Sequence, residues 1–398
     1  MLEGKHIVLG VTGGIAAYKA AVLTRELVKK GTDVHVVMTR NAMEFVTPLT
    51  FQVLSSHPVF TDMFRQDIYD INHIALADQA DALVIAPATA NIIGKIAAGI
   101  ADDLLTTLVM AIRKPVVICP AMNVHMYENP IVQENMEKLR SKGYSFVAPG
   151  YGALACKVEG AGRLADPSDI VETLESVLTP KDLQGETFLV TAGPTREPFD
   201  PVRFITNFSS GKMGYAVAVM ARRRGARVIL VSGPSSLPPP MDVQLVSVGS
   251  AREMRDAVMG HLAAATVVVK AAAVADYRPA VQARQKLKKN AGPMTIALER
   301  NPDIIAEVGA KKNGRIVVGF AMETEDLLEN ARAKLEAKNM DLIIANDLQE
   351  AGAGFQSETN VIRIMDREGT IESLPLMSKL DAANRILDRV KCLLAAKT

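Results

Sequence analysis

The feature that most constrains the fold is a strand–helix–strand unit at the start of the chain. Residues 6–12 form an apolar run typical of a buried strand, and residues 34–39 form a second one. Between them, residues 14–30 have the apolar spacing of an amphipathic helix that ends at Gly31. Parallel strands need such a crossover helix and are covered by helices. The opening of the chain therefore predicts an α/β domain with a parallel sheet.

The same alternation continues through the first half of the chain. Further apolar runs occur at 82–86, 116–119 and 145–148, and helical stretches occur at 91–112 and 130–142. We therefore predict a doubly wound parallel sheet, with ligands at the carboxyl ends of its strands.

A polar segment rich in Pro and Gly separates this pattern from a second one, which restarts at residues 187–191. A chain of 398 residues also exceeds the length at which a single core keeps growing. We predict a first domain over 1–180, a linker over 181–186 and a second domain over 187–398. The second domain is expected to be a Rossmann-like sheet that ends in a hairpin around 367–369 and a terminal helix.

Composition excludes several classes of function. The 45 basic and 44 acidic residues create no overall field that would attract nucleic acid or an anionic membrane, so any phosphate site has to be local. The three cysteines, Cys119, Cys156 and Cys392, are too few and too widely spaced for a disulfide framework or a zinc pattern, which suits a reducing compartment. Without a signal peptide or an uncharged segment of membrane-spanning length, a cytoplasmic protein is expected.

Glycines at the end of the first strand indicate a phosphate site. Gly13, Gly14 and Ile15 join the strand to a helix, whose bare amides and dipole favour an anion, although a tight turn alone also explains glycine here. The spacing is not GxGxxG, and the second strand ends at Thr39 and Arg40 without an acidic residue for a ribose diol. A nicotinamide dinucleotide is disfavoured, but Arg40 leaves an NADP enzyme as an alternative.

Two further strand ends carry small polar residues. Residues 87–91 include Thr89, and residues 120–123 include Ala121, Met122 and Asn123. Helix capping explains Thr89 or Asn123 singly, but not the convergence of three such edges. Their meeting at one edge of a doubly wound sheet predicts one ligand pocket.

The strings TGGIAAYK, NHIALADQAD, APATAN, PAMN and LACKVEGAGR together resemble the flavin-dependent phosphopantothenoylcysteine decarboxylases over the whole first half. The resemblance implies a flavodoxin-like fold, bound FMN and homotrimers with active sites between subunits. By matching motif, Asn123 would hold the substrate carboxylate. The residues that would line the flavin are Gly13, Gly14, Ile15, Thr39, Thr89, Ala121 and Met122.

The chemistry of this decarboxylation accounts for two further residues. A cysteinyl carboxylate loses carbon dioxide once the thiol is oxidised to a thioaldehyde, because the C=S bond then accepts the electron pair. The resemblance implies that His73 acts in oxidation and decarboxylation, and that Cys156 donates the proton in the final reduction. If the resemblance is set aside, His73 is more simply explained as a helix cap or a surface residue. Cys156 is then more simply explained as a small buried residue, although the glycines around it favour a mobile flap.

Residues 209–214 of the second half, SSGKMG, precede a helix and can wrap a phosphate with main-chain amides and one lysine. They do not form a Walker A loop, because Met213 stands where the magnesium-binding hydroxyl would be. Asp276 ends a strand, and Lys286 opens a basic loop that a solvated surface explains equally well.

The strings AGPTREPFDPVRFITNFSSGKMG, AAAVADYRP, KLKK, NPDII and VVGFAMET together resemble phosphopantothenate–cysteine ligase over nearly the whole second half. The resemblance implies activation of a carboxylate by CTP with Mg²⁺ to an acyl cytidylate, followed by attack of the cysteine amine. By matching position, Asn207 would contact the intermediate and Lys286 the transferring phosphates. The residues that would bind CTP are Lys270, Ala271, Ala272, Asp276, Lys286, Pro302, Asp303, Ile304, Ile305, Phe320, Lys334 and Lys338.

Two other functions remain open at this point: an NADP-dependent oxidoreductase and a flavin-binding regulatory protein. The joint presence of His73, Asn123 and Cys156 favours a catalytic over a regulatory protein. An oxidoreductase would leave the motifs of the second half unexplained. The two resemblances imply a homo-oligomer with trimers of the first domain and dimers of the second, which a dodecamer would satisfy. The metal ligands are not predicted.

Overall fold

A computed structural model of the chain describes residues 2–64, 72–153, 159–288, 294–323, 327–347, 354 and 357–397. The chain forms two compact units, Met1–Thr179 and Pro180–Thr398. Residues 181–186, expected to be a linker, include Leu183, which is 1% exposed in the core of the second unit. In the described part of the chain, no helix has the length and apolar character needed to cross a membrane.

The first unit is built on a five-stranded sheet whose pairings are all parallel. Its strands are β1 (His6–Val11), β2 (Asp33–Met38), β3 (Ala82–Ala88), β4 (Val116–Pro120) and β5 (Ser145–Phe146), and an antiparallel pair follows, β6 (Gly150–Ala153) and β7 (Glu159–Arg163). Its helices are α1 (Ala17–Lys29), α2 (Pro48–Ser55), α3 (Asn72–Gln79), α4 (Ala90–Ala98), α5 (Leu104–Ala111), α6 (Val124–Tyr127), α7 (Pro130–Ser141) and α8 (Pro167–Leu178).

The strand order β2-β1-β3-β4-β5 is that of a flavodoxin-like fold, which the resemblance of the first half implied. Helices α1 and α8 bury Leu23 and Leu174 against one face of the sheet, and α4 and α5 bury Ile92 and Leu105 against the other. The chain therefore reverses its winding between β1 and β3. In such folds a ligand binds at the carboxyl end of this gap.

The second unit has an eight-stranded sheet in the order β12-β11-β8-β13-β16-β17-β18-β19. Its strands, with two short antiparallel pairs, are β8 (Thr187–Ala192), β9 (Arg196–Pro198), β10 (Phe204–Thr206), β11 (Arg227–Ser232), β12 (Gln244–Ser247), β13 (Val267–Lys270), β14 (Tyr277–Pro279), β15 (Leu298–Arg300), β16 (Ile316–Glu323), β17 (Leu342–Asp347), β18 (Thr359–Asp366) and β19 (Ile371–Ser378). Its helices are α9 (Lys212–Arg223), α10 (Ala251–His261), α11 (Ile304–Ala310), α12 (Leu327–Ala337) and α13 (Lys379–Ala395).

From β12 to β17 the strands are parallel and follow the Rossmann order, and the antiparallel hairpin β18–β19 extends the sheet. The expected hairpin and terminal helix are therefore confirmed. The winding reverses between β8 and β13, which places the second ligand-binding edge after these two strands.

One helical stretch expected from the sequence, 91–112, is divided into α4 and α5. Gly99 ends α4 with a left-handed backbone, φ 72°, and Asp103 begins α5 by accepting a hydrogen bond from the main-chain N–H of Thr106. The apolar periodicity continues across the break, which is why periodicity alone does not reveal it.

Candidate active sites

A cavity of about 860 Å³ opens at the carboxyl ends of β1, β3 and β4. It includes every residue expected to line the flavin, together with Asn123. These lining residues are Gly13, Gly14, Ile15, Thr39, Thr89, Ala121, Met122 and Asn123.

Hydrogen bonds hold two of these strand ends together. The hydroxyl of Thr12 donates to the main-chain oxygen of Pro87 at 2.7 Å, and the main-chain N–H of Thr89 donates to the Thr12 hydroxyl oxygen at 3.2 Å. Thr89 also caps α4, and Asn123 caps α6 by accepting from the main-chain N–H of His125 at 2.8 Å. Both residues therefore cap a helix and also line the cavity, because these helices begin at the edge where the strands end.

The cavity favours an anionic ligand. The amino end of α1 points at it, and the first turn of this helix carries no acidic residue that would oppose a phosphate. Among the described lining residues, four side chains are basic, Lys19, Arg40, Lys95 and Arg163, and one, Asp103, is acidic. Asp102 lies 2.8 Å from the ammonium of Lys95, and this hydrogen bond raises the pKa of Lys95.

Sequence reasoning missed Lys19, Lys95 and Arg163 as cavity residues. Lys95 had a usable signal, because it follows Asn91 by four residues and therefore lies on the same face of α4. Arg163 ends the string LACKVEGAGR that carries the resemblance, but no local spacing places it at the cavity, because β7 reaches the cavity through tertiary contacts.

Two glycines allow close backbone approaches at this cavity. A methyl group on Gly13 would lie 2.4 Å from Cβ of Asn41, and one on Gly162 would lie 2.3 Å from the main-chain oxygen of Met122. Gly162 also has φ +145° and accepts a hydrogen bond from the main-chain N–H of Met122 at 2.9 Å. The strand that follows the Cys156 segment is thereby fixed against the loop after β4.

The cavity lining within the described part of one chain does not include the two remaining candidates of this unit. His73 is the second residue of α3 and is half-buried. Cys156 lies outside the described residues. The roles of both residues stay predictions.

A second cavity, of about 490 Å³, lies after β8 and β13 in the second unit. Gly211, with φ +81°, begins α9 there, so the amino end of that helix faces the cavity as predicted for a phosphate site. The predicted site residues that line it are Asn207, Lys270, Ala271, Ala272, Asp276 and Phe320.

Lys270 ends β13 at this cavity, surrounded by other charged residues. Burial lowers its pKa most strongly, and the charge of Lys338 and more weakly that of Lys334 lower it further, against the opposing effect of Asp303 and Asp276. Lys338 in turn lies 2.9 Å from a carboxylate oxygen of Asp303. Lys334, Lys338 and Asp303 are not among the described lining residues, but their charges shift the pKa of Lys270, which does line the cavity.

Asp276 does not end a strand as expected, because β13 stops at Lys270 and Asp276 lies in the loop that follows. The predicted nucleotide segment 302–305 is attached to this loop. Asn301 donates its main-chain N–H to the main-chain oxygen of Asp276 and its side-chain amide to that of Ala275, both at 2.8 Å. Ile304 and Ile305 are 3% and 4% exposed and pack in the core, so a ligand can reach only their main chain. Asp303 caps α11, and Pro302 is half-buried beside it.

Lys286 is exposed on its loop and is not part of the described cavity lining. Its neighbour Leu287 accepts a hydrogen bond from the guanidinium of Arg203 at 3.0 Å. The loop is therefore anchored to the segment that leads into Asn207, although the ammonium of Lys286 faces solvent.

Three polar residues of the second cavity were missed by the candidate list: Asn346, Asn360 and Lys379. Asn360 donates to the side-chain oxygen of Asn346 at 3.3 Å, and Lys379 donates to the main-chain oxygen of Gly354 at 3.0 Å. Burial, followed by the charge of Lys212, lowers the pKa of Lys379. Asn346 follows an apolar run, and so it was predictable in the same way as Asp276. Asn360 and Lys379 were not, because the hairpin β18–β19 places them at the cavity.

Comparisons with known proteins divide the chain at the same place. Residues 1–179 match the family described as Flavoprotein, and residues 183–393 match the DNA/pantothenate metabolism flavoprotein C-terminal domain. Among solved structures, the C-terminal domain of a coenzyme A biosynthesis bifunctional protein CoaBC is 45% identical and covers 54% of this chain and 99% of its own, with a TM-score of 0.47. The FMN-dependent cysteine decarboxylase SpaF is 32% identical and covers 44% and 99%, with a TM-score of 0.39.

Curated relatives match over the full length. The coenzyme A biosynthesis bifunctional protein CoaBC of Bacillus subtilis is 50% identical over 99% of this chain and 98% of the relative. The Escherichia coli protein of the same name is 45% identical over 98% and 97%. Each unit has a cavity where its parallel strands end, which agrees with a protein that has two activities. The chain belongs to the family of coenzyme A biosynthesis bifunctional proteins.

Proposed function

We propose that the second unit joins 4′-phosphopantothenate to cysteine at the expense of CTP, and that the first unit decarboxylates the product to 4′-phosphopantetheine with bound FMN. Ligase and decarboxylase activities both belong to coenzyme A biosynthesis, the process named for the relatives. The main support for the decarboxylase activity is that all eight residues predicted to contact flavin or substrate line one cavity.

The first cavity fits FMN by its donors and its shape. The amino end of α1 and the basic side chains Lys19, Arg40 and Arg163 suit a phosphate, and the missing side chain of Gly13 lets this turn pack against Asn41, which also lines the cavity. When bound, the flavin would accept electrons from the substrate thiol and return them in the final reduction. Arg40 could also bind the 2′-phosphate of NADP, but the hypothesis of an NADP-dependent oxidoreductase gives no role to Asn123 or to the second unit.

The chain's own residues carry the remaining steps of decarboxylation. Asn123 orients the substrate carboxylate from the start of α6, while His73 exchanges a proton with the substrate during oxidation and Cys156 donates one at the end. Because the described cavity lining of one chain lacks His73, we propose that a neighbouring subunit completes the site in a homotrimer.

In the ligase, a carboxylate has to be activated before an amine can displace its oxygen. We propose that CTP binds across the end of β13, with Lys270, Lys334, Lys338 and the main chain of 302–305 framing it. Asp276, the acidic side chain among the described lining residues, suits a Mg²⁺ ion that is shared with the phosphates. Asn207 contacts the acyl cytidylate, and Lys286 stabilises the charge that develops on the transferring phosphates.

Mass spectrometry of the products tests the whole proposal. Purified protein is given 4′-phosphopantothenate, L-cysteine and Mg²⁺ with CTP, and a parallel sample contains ATP. Phosphopantetheine in the CTP sample is the expected product, and a yellow protein that releases FMN on denaturation is the expected cofactor result. Phosphopantothenoylcysteine alone would contradict the flavin site, and unchanged substrate in both samples would contradict the ligase.

A further inference from the structure

Three of the six histidines meet on one carboxylate at the edge of the first sheet where β1 and β2 begin. His6 Nδ1 lies 2.7 Å and His35 Nε2 lies 3.3 Å from Oδ2 of Asp33. His57 Nε2 lies 2.6 Å from the other oxygen, Oδ1. The side chains are 21% to 50% exposed, so the group is open to solvent.

This cluster lies far from the first cavity. His6 begins β1, and the first cavity starts at Thr12, beyond the other end of the same strand. At a rise of about 3.3 Å per residue the two are roughly 20 Å apart. The cluster therefore has no part in the chemistry proposed for the first cavity.

The arrangement has the composition of a transition-metal site. One nitrogen from His6, one from His35 and one oxygen of Asp33 all lie within 4.8 Å of one another. Ligand atoms on a tetrahedral zinc ion are roughly 3.3 Å apart, given bonds of about 2.0–2.1 Å. The two distances to Oδ2, 2.7 and 3.3 Å, are already close to this spacing. Imidazole and carboxylate ligands together favour ions of the zinc class over Ca²⁺ or Mg²⁺.

His57 has a different position from the other two histidines. It contacts the carboxylate oxygen that faces away from His6 and His35, and its ring stacks on that of His35 with centroids 4.4 Å apart. A hydrogen bond to the non-ligating oxygen is the usual way in which a protein orients a metal-bound carboxylate. A parallel bridge between Val37 and Phe60 attaches the segment after His57 to β2.

We propose that His6, Asp33 and His35 bind one divalent ion of the zinc class, with His57 orienting the carboxylate. The ion would link the starts of β1 and β2, and His57 would join the segment that follows α2 to the site through Asp33. It would thereby stabilise the first unit at the edge opposite the flavin cavity. A fourth coordination position remains for water.

One feature limits the affinity of the site. His35 Nδ1 is buried and has no hydrogen-bond partner in the described structure. When Nε2 binds the metal, neutral His35 carries its proton on this nitrogen, and the site lacks the outer hydrogen bond that typically raises metal affinity roughly ten- to hundredfold. We therefore expect a reversible site that EDTA empties.

Cobalt titration of the full chain tests this inference. EDTA-treated protein carrying Cys392→Ser, which removes an exposed thiol that also binds Co²⁺, is titrated while the visible d–d absorption of tetrahedral Co²⁺ is followed. One equivalent of Co²⁺ should bind with strong absorption, and Zn²⁺ should displace it and raise the melting temperature. His6→Gln and His35→Gln should each abolish the absorption, and His57→Gln should weaken binding roughly ten- to hundredfold.

His261→Gln, at the end of α10 in the second unit, is the matched control and should titrate like the parent. FMN content verifies that each variant is folded, because the cluster is remote from the cavity. The inference is overturned if the parent gives no tetrahedral spectrum, or if folded His35→Gln binds Co²⁺ as tightly as the parent.

Discussion

Leu287 donates its main-chain N–H to a carboxylate oxygen of Asp200 at 3.2 Å, which fixes the loop of Lys286 to a motif nearly ninety residues earlier. Asp200 is 1% exposed and also accepts bonds from the guanidinium of Arg203 and from the main-chain N–H groups of Val202 and Arg203. The bond from Arg203 is the main cause of a pKa far below the usual range for an aspartate. The anchor therefore stays ionised through the mildly acidic range.

Replacing Asp200 with Asn should lower ligase kcat/KM roughly ten- to hundredfold, because the loop that carries Lys286 loses its charged anchor and its ammonium is misplaced. Decarboxylation by the first unit should not change. Steady-state pyrophosphate release measures the first activity, and carbon dioxide release from supplied phosphopantothenoylcysteine measures the second. Asp256→Asn, at an exposed position on α10, serves as control, and a ligase equally impaired in both variants would contradict the anchor.

Gly13→Ala should abolish FMN binding, because the added methyl group would lie 2.4 Å from Cβ of Asn41 and 2.8 Å from its main-chain carbon. Gly14→Ala is the matched control. Its nearest neighbour would be a methyl group of Thr89 at 3.8 Å, an ordinary contact, so most of the flavin should be retained. Absorbance of the released flavin per protein chain measures both variants, and full occupancy in Gly13→Ala would remove this turn from the cofactor site.

Cys156→Ser should stop decarboxylation after loss of carbon dioxide and allow the oxidised enethiol to accumulate, because the hydroxyl is a much weaker proton donor than the thiol. Mass spectrometry of the quenched reaction distinguishes this species from phosphopantetheine by two hydrogens. Cys119→Ser is the comparison at a thiol whose pKa burial raises far above its usual value, and it should retain turnover if the unit still folds. Unchanged turnover in Cys156→Ser would end its assignment as proton donor.

Asn207→Asp should uncouple or abolish ligation. The side-chain amide of Asn207 donates to the main-chain oxygen of Ala273 at 3.4 Å, and a carboxylate can neither make this bond nor approach phosphates without repulsion. We expect at least a hundredfold loss of phosphopantothenoylcysteine formation. Comparing pyrophosphate release with product formation separates a block before the acyl cytidylate from a block after it. Wild-type rates of both would exclude Asn207 from the site.

Arg224→Ala should destabilise the second unit by about 2–3 kcal/mol, because its buried guanidinium pairs with the partly exposed Asp182 at 2.8 Å and Asp388 at 2.7 Å. Arg332→Ala removes an exposed pair with Glu336 and should cost about 0.3–0.5 kcal/mol. The chain has no tryptophan, and two units need separate readouts, so hydrogen exchange of peptides from β8 and α13 is the suitable measurement. Equal protection in the two variants would contradict a structural role for Arg224.

Part of both sites could be predicted because their residues follow strands directly. Thr89 and Asn123 were selected as polar residues after apolar runs, and the parallel order of β1, β3 and β4 brings them to one edge. Asn346 also follows an apolar run, and Lys95 lies four residues after Asn91 on the same face of α4, so both residues were predictable. Arg163 and Lys379 were not, because β7 and the hairpin β18–β19 reach the cavities through packing that has no local period.

The sequence by itself determined the two α/β patterns, the break near residue 180, and the strand-end glycines and polar residues, since these depend on spacings of a few residues along the chain. Only the tertiary structure decided the strand orders and the attachment of the Lys286 loop to Asp200. The same holds for the meeting of His6, His35 and His57 on Asp33. Contacts between distant segments depend on which strands become neighbours, and no periodicity in the sequence encodes that choice.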